Sequence, residues 1–110
     1  MTYTIHYYSP DVQEQILTLS DGLAGRYVIL TKRMEQVGAN LHVPHTKAMG
    51  DGLFELRLKA SEGIARVFYC TLVGQRIVML HSFVKKMDKI PPDDLRIAVK
   101  RMKEVKNGYF

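Results

Sequence analysis

Cysteine is almost missing from this sequence, which holds one, Cys70, among its 110 residues. A single cysteine excludes an intramolecular disulfide and is typical of a protein kept in a reducing cytoplasm. Long apolar runs are missing too, since none reaches the ~18 residues of a membrane span. The segment from Met1 to His6 lacks the basic start and the apolar stretch of a secretory signal. We therefore expect a cytoplasmic protein with no membrane partner.

Sequence motifs that would announce a particular chemistry are also absent. There is no glycine-rich phosphate motif and no Ser/His/Asp arrangement that sequence alone justifies. No repeat, linker or low-complexity segment divides the chain, so residues 1–110 are predicted to form one domain with a real core. His42 and His45 lie in a loop predicted over residues 39–51, and no second pair of residues at ligand spacing supports a metal site. We expect surface histidines there, and neither a metal nor a cofactor.

Basic residues are nearly missing from the first part of the chain, where Arg26 is the one Lys or Arg among residues 1–31. Residues 1–31 carry a net charge of −2, whereas residues 32–110 carry +7, which together give the overall +5. A basic chain with a pI of about 9.4 favours a polyanionic partner such as a nucleic acid. Basic surfaces also occur without such a partner, so the charge only supports this interpretation.

The N-terminal third is predicted to contain one strand and two helices. Apolar side chains alternate from Tyr3 to Tyr8, which indicates a strand. Ser9-Pro10 is a helix start signal, because serine caps a helix and proline suits its first position. A break or kink follows at Ser20-Asp21-Gly22. A second apolar stripe predicts a helix from Leu23 to Val37, ended by Gly38. The two helices are predicted to form a hairpin that packs on a sheet.

Residues 50–86 are predicted to form three strands joined by two short turns. Apolar and polar residues alternate from Phe54 to Lys59, which is the period of a half-buried strand. Residues 60–63 and 73–75 hold the glycine and polar residues that are typical of hairpin turns.

Strand register then places several cations on one face of this sheet. If residues 60–63 form a four-residue turn, Arg57 faces Arg66 across the hairpin, with Cβ atoms about 5 Å apart. In the next hairpin, a second turn is expected to pair Val73 with Arg76. Phe83 then lies beside Arg66, and His81 lies beside Phe68. The basic face then carries Arg57, Lys59, Arg66, His81 and Phe83, followed by Lys85 and Lys86. The opposite face carries the predicted core residues Phe54, Leu56, Leu58, Val67 and Tyr69.

This basic face has two interpretations. Two opposed arginines repel each other unless an anion lies between them, and cations beside an aromatic ring suit a phosphate chain and a stacked base. Alternatively, the arginines and lysines form an ordinary solvated strand face, with Glu55 neutralising Arg57. The pattern alone leaves both interpretations open.

The chain ends in a predicted amphipathic helix. Pro91-Pro92 followed by Asp93-Asp94 is a helix start signal, and Asn107-Gly108 closes the helix. Its apolar face holds Leu95, Ala98, Val99, Met102 and Val105. The order strand, two helices, three strands and helix predicts an α+β fold.

This order and several blocks of sequence resemble the RelE/ParE toxin superfamily. The residues in these blocks are most similar to those of its phage-derived HigB-like branch. The blocks lie in the second half of the chain, in the family's order and spacing, and cover about a quarter of the residues. They are Gly50-Asp-Gly-Leu-Phe-Glu-Leu-Arg57, Ala65-Arg-Val-Phe-Tyr69, Leu80-His-Ser-Phe-Val-Lys-Lys86, Ile90-Pro-Pro92 and Ala98-Val-Lys-Arg101. The resemblance implies a RelE-like fold, in which a three-stranded antiparallel meander completes the sheet begun by the N-terminal strand.

The resemblance also implies a function. RelE- and HigB-like toxins cleave mRNA in the ribosomal A site without a metal, and the RNA 2′-hydroxyl attacks the adjacent phosphodiester. By position, the predicted catalytic residues are Arg57, Lys59, Arg66, Lys85, Lys86 and His81. The predicted RNA-binding residues are Phe83, Lys89, Arg96 and Lys100. RelE itself has a catalytic tyrosine where this chain has Leu95, so the resemblance does not identify the group that moves protons.

The implied partners are the ribosome, mRNA and a cognate antitoxin, a helix-turn-helix protein of the HigA type. Two rival functions remain open from the sequence. ParE-like relatives share the fold and inhibit DNA gyrase by binding it, and a basic binding module would have no activity at all. Opposed arginines on one face favour the endoribonuclease, because a surface that only binds a protein does not need them.

Overall fold

The N-terminal strand and the first helix form as their sequence predicts. The computed structural model describes residues 2–86 and 90–109 of the chain. Strand β1 spans Thr4–Tyr7 and helix α1 spans Pro10–Leu17. The side-chain oxygen of Ser9 accepts a hydrogen bond from the backbone N–H of Val12 (3.2 Å), so Ser9 caps α1 as expected. The Ser9 cap fixes the residue at which the chain leaves β1 and α1 starts.

Helix α2 spans Asp21–Val37 and begins two residues earlier than the predicted start at Leu23. It ends at Gly38, whose φ of +108° belongs to the region that glycine adopts without strain. The predicted break between the helices is confirmed, since α1 ends at Leu17 and three residues separate it from α2.

The sheet has five strands, one more than the sequence predicted. The further strands are β2 (Thr46–Gly50), β3 (Leu53–Ala60), β4 (Gly63–Leu72) and β5 (Arg76–Lys85), and the spatial order is β1-β5-β4-β3-β2. Strand β1 runs parallel to β5, whereas all the other neighbours are antiparallel. The prediction of a loop throughout residues 39–51 is therefore wrong over β2. A hairpin joins β2 to β3 through Asp51 and Gly52, so the antiparallel run has four strands.

The register predicted for the central strands is confirmed where the basic face lies. Arg57 pairs with Arg66, Arg66 with Phe83, and Phe68 with His81. The turn between β4 and β5 is different from the prediction, because Leu72 rather than Val73 pairs with Arg76. A bulge between Phe68 and Tyr69, opposite Leu80, compensates for this difference of one residue.

The two faces of the sheet carry two separate cores. Helices α1 and α2 cover one face, where Leu56, Leu58 and Val67 are fully buried against helical residues such as Ile16 and Leu30. This confirms the predicted core face, on which Tyr69 is also buried and Phe54 is half-buried and stacked on it at 5.4 Å. Apolar burial of this kind is the main stabilising contribution to the fold.

Helix α3 (Pro92–Glu104) packs on the opposite face, followed by a final turn, Val105–Tyr109. Its residues Ala98 and Met102 pack with Phe68, Cys70 and Leu80 of the sheet, and Cys70 is a free, fully buried thiol. Burial raises the pKa of this thiol, against an opposing effect of the Lys106 charge, so Cys70 is kept neutral and unreactive. Cys70 is therefore a core residue of the α3 face.

The structure is α+β, as the sequence predicted, although its strand arrangement differs from the predicted meander. In the part of the chain that the structure describes, no helix combines the length and the apolar character needed to cross a bilayer.

Candidate functional site

A row of paired residues crosses the sheet from the β2 edge to β5. Arg57 on β3 pairs with Arg66 on β4, which pairs with Phe83 on β5. His45 extends this row at the open edge, because the backbone N–H of Arg57 donates to the carbonyl oxygen of His45 (2.8 Å), one residue before β2 begins. Directly paired residues project from the same face of a sheet. The row therefore presents His45, Arg57, Arg66 and Phe83 together.

A buried carboxylate lies between the two arginines. Glu55 is only 2% exposed, and its two carboxylate oxygens lie 3.0 Å from Nε of Arg57 and 3.7 Å from Nε of Arg66. Glu55 therefore supplies the anion that two opposed arginines require, and the predicted neutralisation of Arg57 by Glu55 is confirmed. One carboxylate facing two guanidinium groups leaves a net positive charge at this place.

Arg66 is the more enclosed of the two arginines. Its side chain is 10% exposed, against 32% for Arg57, and its terminal N–H also donates to the carbonyl oxygen of Ala65 (3.3 Å). Burial lowers the pKa of the Arg66 guanidinium, and the Arg57 charge adds to this effect, whereas the Glu55 charge opposes it. An arginine stays charged in proteins despite such a shift. Arg66 is thus a fixed cation at the base of the site.

A pocket of about 340 Å³ opens beside these arginines. Its lining comes from helix α2, from the loop before β2 and from strands β3 and β4. Among the described residues, the lining is Arg26, Pro44, His45, Arg57, Lys59, Ile64 and Arg66. We call this cavity the basic pocket. Four of its seven lining residues carry a fixed positive charge and none carries a negative one, so the pocket suits an anion.

The loop before β2 holds His45 in place through a network of hydrogen bonds. Thr46, which is 1% exposed, accepts from the backbone N–H of Leu41 (3.0 Å) and donates to the side-chain oxygen of Asn40 (3.2 Å). The backbone N–H groups of His45 and Thr46 both donate to the carbonyl oxygen of His42 (3.0 Å). These bonds fix the backbone from which the His45 side chain enters the basic pocket.

The structure brings together three of the predicted catalytic residues, Arg57, Lys59 and Arg66, in the basic pocket. Lys85 pairs with Ile64 and so lies on the same face one row further on, while Lys86 is exposed just after β5. Phe83, a predicted RNA-binding residue, is partly buried and packs against Phe68, with ring centroids 5.8 Å apart. The roles of these residues remain predictions.

His81, the predicted acid or base, lies apart from the basic pocket. It occupies the next row, opposite Phe68, and its Nε2 donates to the carboxylate of Asp94 on α3 (2.6 Å). Its other ring nitrogen, Nδ1, is buried and finds no hydrogen-bond acceptor or donor among the described residues. His81 therefore fastens the first turn of α3 to β5, and this arrangement does not present either nitrogen at the pocket.

The remaining predicted RNA-binding residues lie elsewhere. Arg96 and Lys100 line a groove of about 990 Å³ along α3, and Arg96 is paired with Asp93 at 2.8 Å. Leu95, at the position of the RelE tyrosine, lines the same groove. Lys89 lies outside the described residues. The α3 cations thus form a second basic surface, separate from the basic pocket.

Sequence reasoning missed two residues of the pocket, Arg26 and His45. His45 lies in the loop before β2, as the sequence predicts, but it is half-buried and lines the pocket, which the sequence pattern does not indicate. The sequence did hold one signal, since Asp51-Gly52 is typical of a tight hairpin turn and predicts a strand before it. Arg26 lies on α2 and carries no local signal for a role on the sheet.

Possible metal ligands are sparse around this site. Residues 2–86 and 90–109 contain no cluster of three or more histidine, cysteine, aspartate or glutamate side chains that would suit a metal ion.

Fold and site together define a small α+β protein whose sheet carries a basic pocket. A family model described as "Phage derived protein Gp49-like (DUF891)" matches residues 14–103. The chain therefore belongs to the phage-derived Gp49-like family, a family associated with RelE-like toxins. The match includes every residue of the basic pocket, and it does not single out the HigB-like branch. A comparison with curated proteins found no match.

Proposed function

We propose that this chain is the toxin of a type II toxin–antitoxin pair and that it acts as a ribosome-dependent mRNA endoribonuclease of the HigB-like branch. The observation that carries this proposal is the basic pocket, in which Arg57, Lys59 and Arg66 converge with Arg26. The family's association with RelE-like toxins supports it. Because the ribosomal A site is the proposed place of action, the proposal also locates the protein in the cytoplasm.

The chemistry that we propose needs positive charge at one phosphate. When the RNA 2′-hydroxyl attacks the adjacent phosphorus, negative charge builds up on the phosphate oxygens in the transition state. Cations that are already in position stabilise that charge without having to reorganise. Glu55 holds both arginines through their Nε atoms, and among the described residues the Nη groups of Arg57 have no protein partner. These groups are available to a phosphate in the planar, forked geometry that guanidinium provides.

Lysine side chains extend the positive charge beyond the two arginines in the proposed mechanism. Lys59 is exposed at the pocket mouth, and Lys85 and Lys86 lie beyond it in the direction of β5. We propose that these lysines hold the flanking RNA, while Arg57 and Arg66 hold the scissile phosphate. Phe83, beside Arg66 in the same row, offers an aromatic surface to a neighbouring base.

A toxin of this kind needs a restraint, so the proposal includes a cognate antitoxin of the helix-turn-helix, HigA-like type. The cluster formed by Arg57, Lys59, Arg66, Lys85 and Lys86 suits acidic side chains of such a partner, because complementary charge speeds and orients association. Production of the chain alone is expected to arrest growth, and co-production of the neighbouring gene's product is expected to relieve the arrest.

The decisive experiment maps mRNA 5′ ends by primer extension after the purified chain is added to translating ribosomes. New ends inside codons are expected with the wild type. Arg66→Ala is expected to reduce cleavage about 10²–10³-fold, the usual effect of removing one prepositioned transition-state donor. Lys59→Ala provides a second variant that preserves the Glu55 contacts, and Arg33→Ala on the exposed side of α2 is the matched control.

Two outcomes would contradict the proposal. Cleavage by folded Arg66→Ala and Lys59→Ala at the wild-type rate would separate the basic pocket from the reaction. Absence of cleavage by the wild type, together with gyrase-dependent DNA breaks in a gyrase assay, would favour the ParE-like function instead.

A further inference from the structure

The geometry points to His45 as the side chain that takes the proton from the attacking 2′-hydroxyl. This inference rests on the proposed function and adds the proton-transfer group that the arginines and lysines do not provide. A nuclease that uses the RNA 2′-hydroxyl as nucleophile gains from a base near it, and histidine is the side chain whose ordinary pKa lies closest to neutrality.

Three observations place His45 where such a base is needed. Its backbone carbonyl accepts from Arg57 (2.8 Å), which puts it in the same row as the two arginines. Its side chain lines the basic pocket together with Arg57, Lys59 and Arg66. It is half-buried, so it is partly shielded from water while still reachable from the pocket. A phosphate held by the arginines therefore lies next to an imidazole.

The backbone around His45 is also held in position before any ligand binds. The hydrogen bonds among Asn40, Leu41, His42 and Thr46 fix the loop, and the hydroxyl of Tyr69 donates to the carbonyl of Ala39 at its start (2.6 Å). A base contributes most when its geometry is set in advance. Among the other histidines, His81 is committed to Asp94 through Nε2 and buries Nδ1, so it does not compete for this role.

The proposed step balances as follows. The neutral imidazole of His45 accepts the proton of the 2′-hydroxyl as the 2′-oxygen forms its bond to phosphorus. The bond between phosphorus and the 5′-oxygen of the next nucleotide breaks, and that oxygen takes a proton from water. The products are a 2′,3′-cyclic phosphate and a 5′-hydroxyl end. The imidazolium then returns its proton to solvent, so no further reactant is consumed.

The test compares His45→Asn with His42→Asn, which changes an exposed histidine of the same loop that lies outside the pocket lining. His42 has a φ of +64°, a conformation that asparagine tolerates, so this control is expected to fold. In the ribosome assay His45→Asn is expected to lose about 10²–10⁴-fold in cleavage rate, the range typical of general acid–base catalysis. His42→Asn is expected to cleave like the wild type.

The pH profile supplies a readout that a purely structural role of His45 would not change. The wild-type rate is expected to rise with pH through the range in which histidine titrates, and the profile of His45→Asn is expected to be flat there. The charged groups that face His45 in the pocket are Arg26 from α2, Arg57 and Lys59 from β3, and Arg66 from β4. Arginine and lysine side chains ordinarily keep their charge throughout this range.

A second measurement keeps the inference testable if His45→Asn fails to fold. NMR of the wild type with a single-stranded oligonucleotide, made uncleavable by 2′-deoxy sugars, gives the pH at which the His45 imidazole titrates. That value is expected to match the midpoint of the rate profile, and His45 signals, unlike those of His42, are expected to shift when the oligonucleotide binds.

The outcomes separate this inference from the proposed function. An active wild type with an equally active His45→Asn, or with a rate midpoint that differs from the His45 titration, overturns the role of His45 and leaves the nuclease standing. A wild type that cleaves nothing overturns the nuclease and the proton-transfer step with it. If the oligonucleotide still shifts the His45 NMR signals in that case, His45 is a phosphate-contacting residue. If these signals do not shift, His45 does not have that role either.

Discussion

Glu55 lies between two arginine side chains that would otherwise repel each other at the centre of the sheet. Its carboxylate is 2% exposed and is 3.0 Å from Arg57 and 3.7 Å from Arg66. A buried carboxylate without a partner is costly, and so is an enclosed guanidinium, so the three groups depend on one another. The Glu55 contacts also orient both arginines and leave a net positive charge on the three groups. The contacts that stabilise the site therefore also give it its proposed affinity for an anion.

Replacing this carboxylate tests that dependence. Glu55→Gln removes the negative charge but preserves the size of the side chain, and it leaves the enclosed Arg66 beside Arg57 with no counter-charge. We expect a loss of about 3 kcal/mol in the free energy of unfolding, the lower part of the range for breaking a buried ion pair, because Arg57 is partly exposed. Urea denaturation measures it. Glu14→Gln, on the exposed side of α1, is the control, and equal stability of the two variants would contradict the mutual dependence.

Single residues of the site were predictable to the extent that hairpin geometry determines them. The turn over residues 60–63 was enough to place Arg57 opposite Arg66, because both residues belong to one hairpin with a short, recognisable turn. His45 was not predictable in the same way. Its place beside Arg57 depends on β2, for which the Asp51-Gly52 turn is the one sequence signal. The β2 segment Thr46–Gly50 itself lacks the run of β-branched and aromatic residues that indicates a strand.

At the scale of secondary-structure elements, two β-bulges decide which residues meet. Between β2 and β3 the register shifts at Met49, between the pairs Ala48–Phe54 and Gly50–Leu53. Without this shift, His45 would align with Leu58 and project from the core face. Between β4 and β5 the shift falls at Leu80, whose carbonyl oxygen accepts from the Arg101 guanidinium of α3 (2.8 Å). A bulge adds one residue and reverses the alternation beyond it, and no local sequence rule locates either one.

The N-terminus of α2 shows another contact between elements that are distant in sequence. Ser20 precedes the helix but makes no side-chain capping bond. Instead the carboxylate of Glu62, in the turn between β3 and β4, accepts from the backbone N–H of Gly22 (2.7 Å). A carboxylate at a helix N-terminus satisfies a free N–H and interacts well with the helix dipole. Glu62 therefore joins α2 to the hairpin that carries Arg57 and Arg66.

This cap predicts a pH dependence of stability. The pKa of Glu62 is lowered from its ordinary 4.5, first by a hydrogen bond from its own backbone N–H and then by that of Gly22. A lowered pKa in the folded state stabilises the fold above the ordinary value, and this contribution is lost as the pH falls through the folded-state value. Urea unfolding at pH 7 and pH 3 is therefore expected to show a smaller wild-type advantage over Glu62→Gln at pH 3 than at pH 7. An equal advantage at both pH values would show that the charge is not involved.

Over the whole molecule, the helices leave one part of the sheet uncovered. Helices α1 and α2 pack on one face, whereas α3 covers only the part of the other face that holds Phe68, Cys70 and Leu80. The basic pocket and its row of cations lie on the remaining part of that face. The sequence predicted the packing of the first two helices on a sheet and the α+β class from apolar stripes, because these depend on local periodicity. It did not predict that the loop before β2 and Arg26 of α2 would complete the pocket, since that depends on tertiary packing.

The uneven charge of the chain predicts how it binds a polyanion. Residues 32–110 carry a net charge of +7, and the pocket adds Arg26 from the N-terminal segment. When protein cations displace counterions from a single strand, log K falls with log salt concentration by about 0.7 for each phosphate neutralised. The four cations of the basic pocket, Arg26, Arg57, Lys59 and Arg66, therefore predict a slope of about −3 for a single-stranded oligodeoxynucleotide, which lacks the 2′-hydroxyl and is not cleaved.

Fluorescence anisotropy titrations of that oligodeoxynucleotide at several salt concentrations measure this slope. Lys59→Ala removes one exposed pocket cation and is expected to reduce the slope by about 0.7. Lys32→Ala removes an exposed lysine of α2 that does not line the basic pocket, so the slope is expected to stay at the wild-type value. Equal effects of the two substitutions would mean that the strand binds through diffuse charge. A wild-type affinity that is insensitive to salt would mean that its main partner is not a nucleic acid, because no phosphate contact can form without releasing counterions.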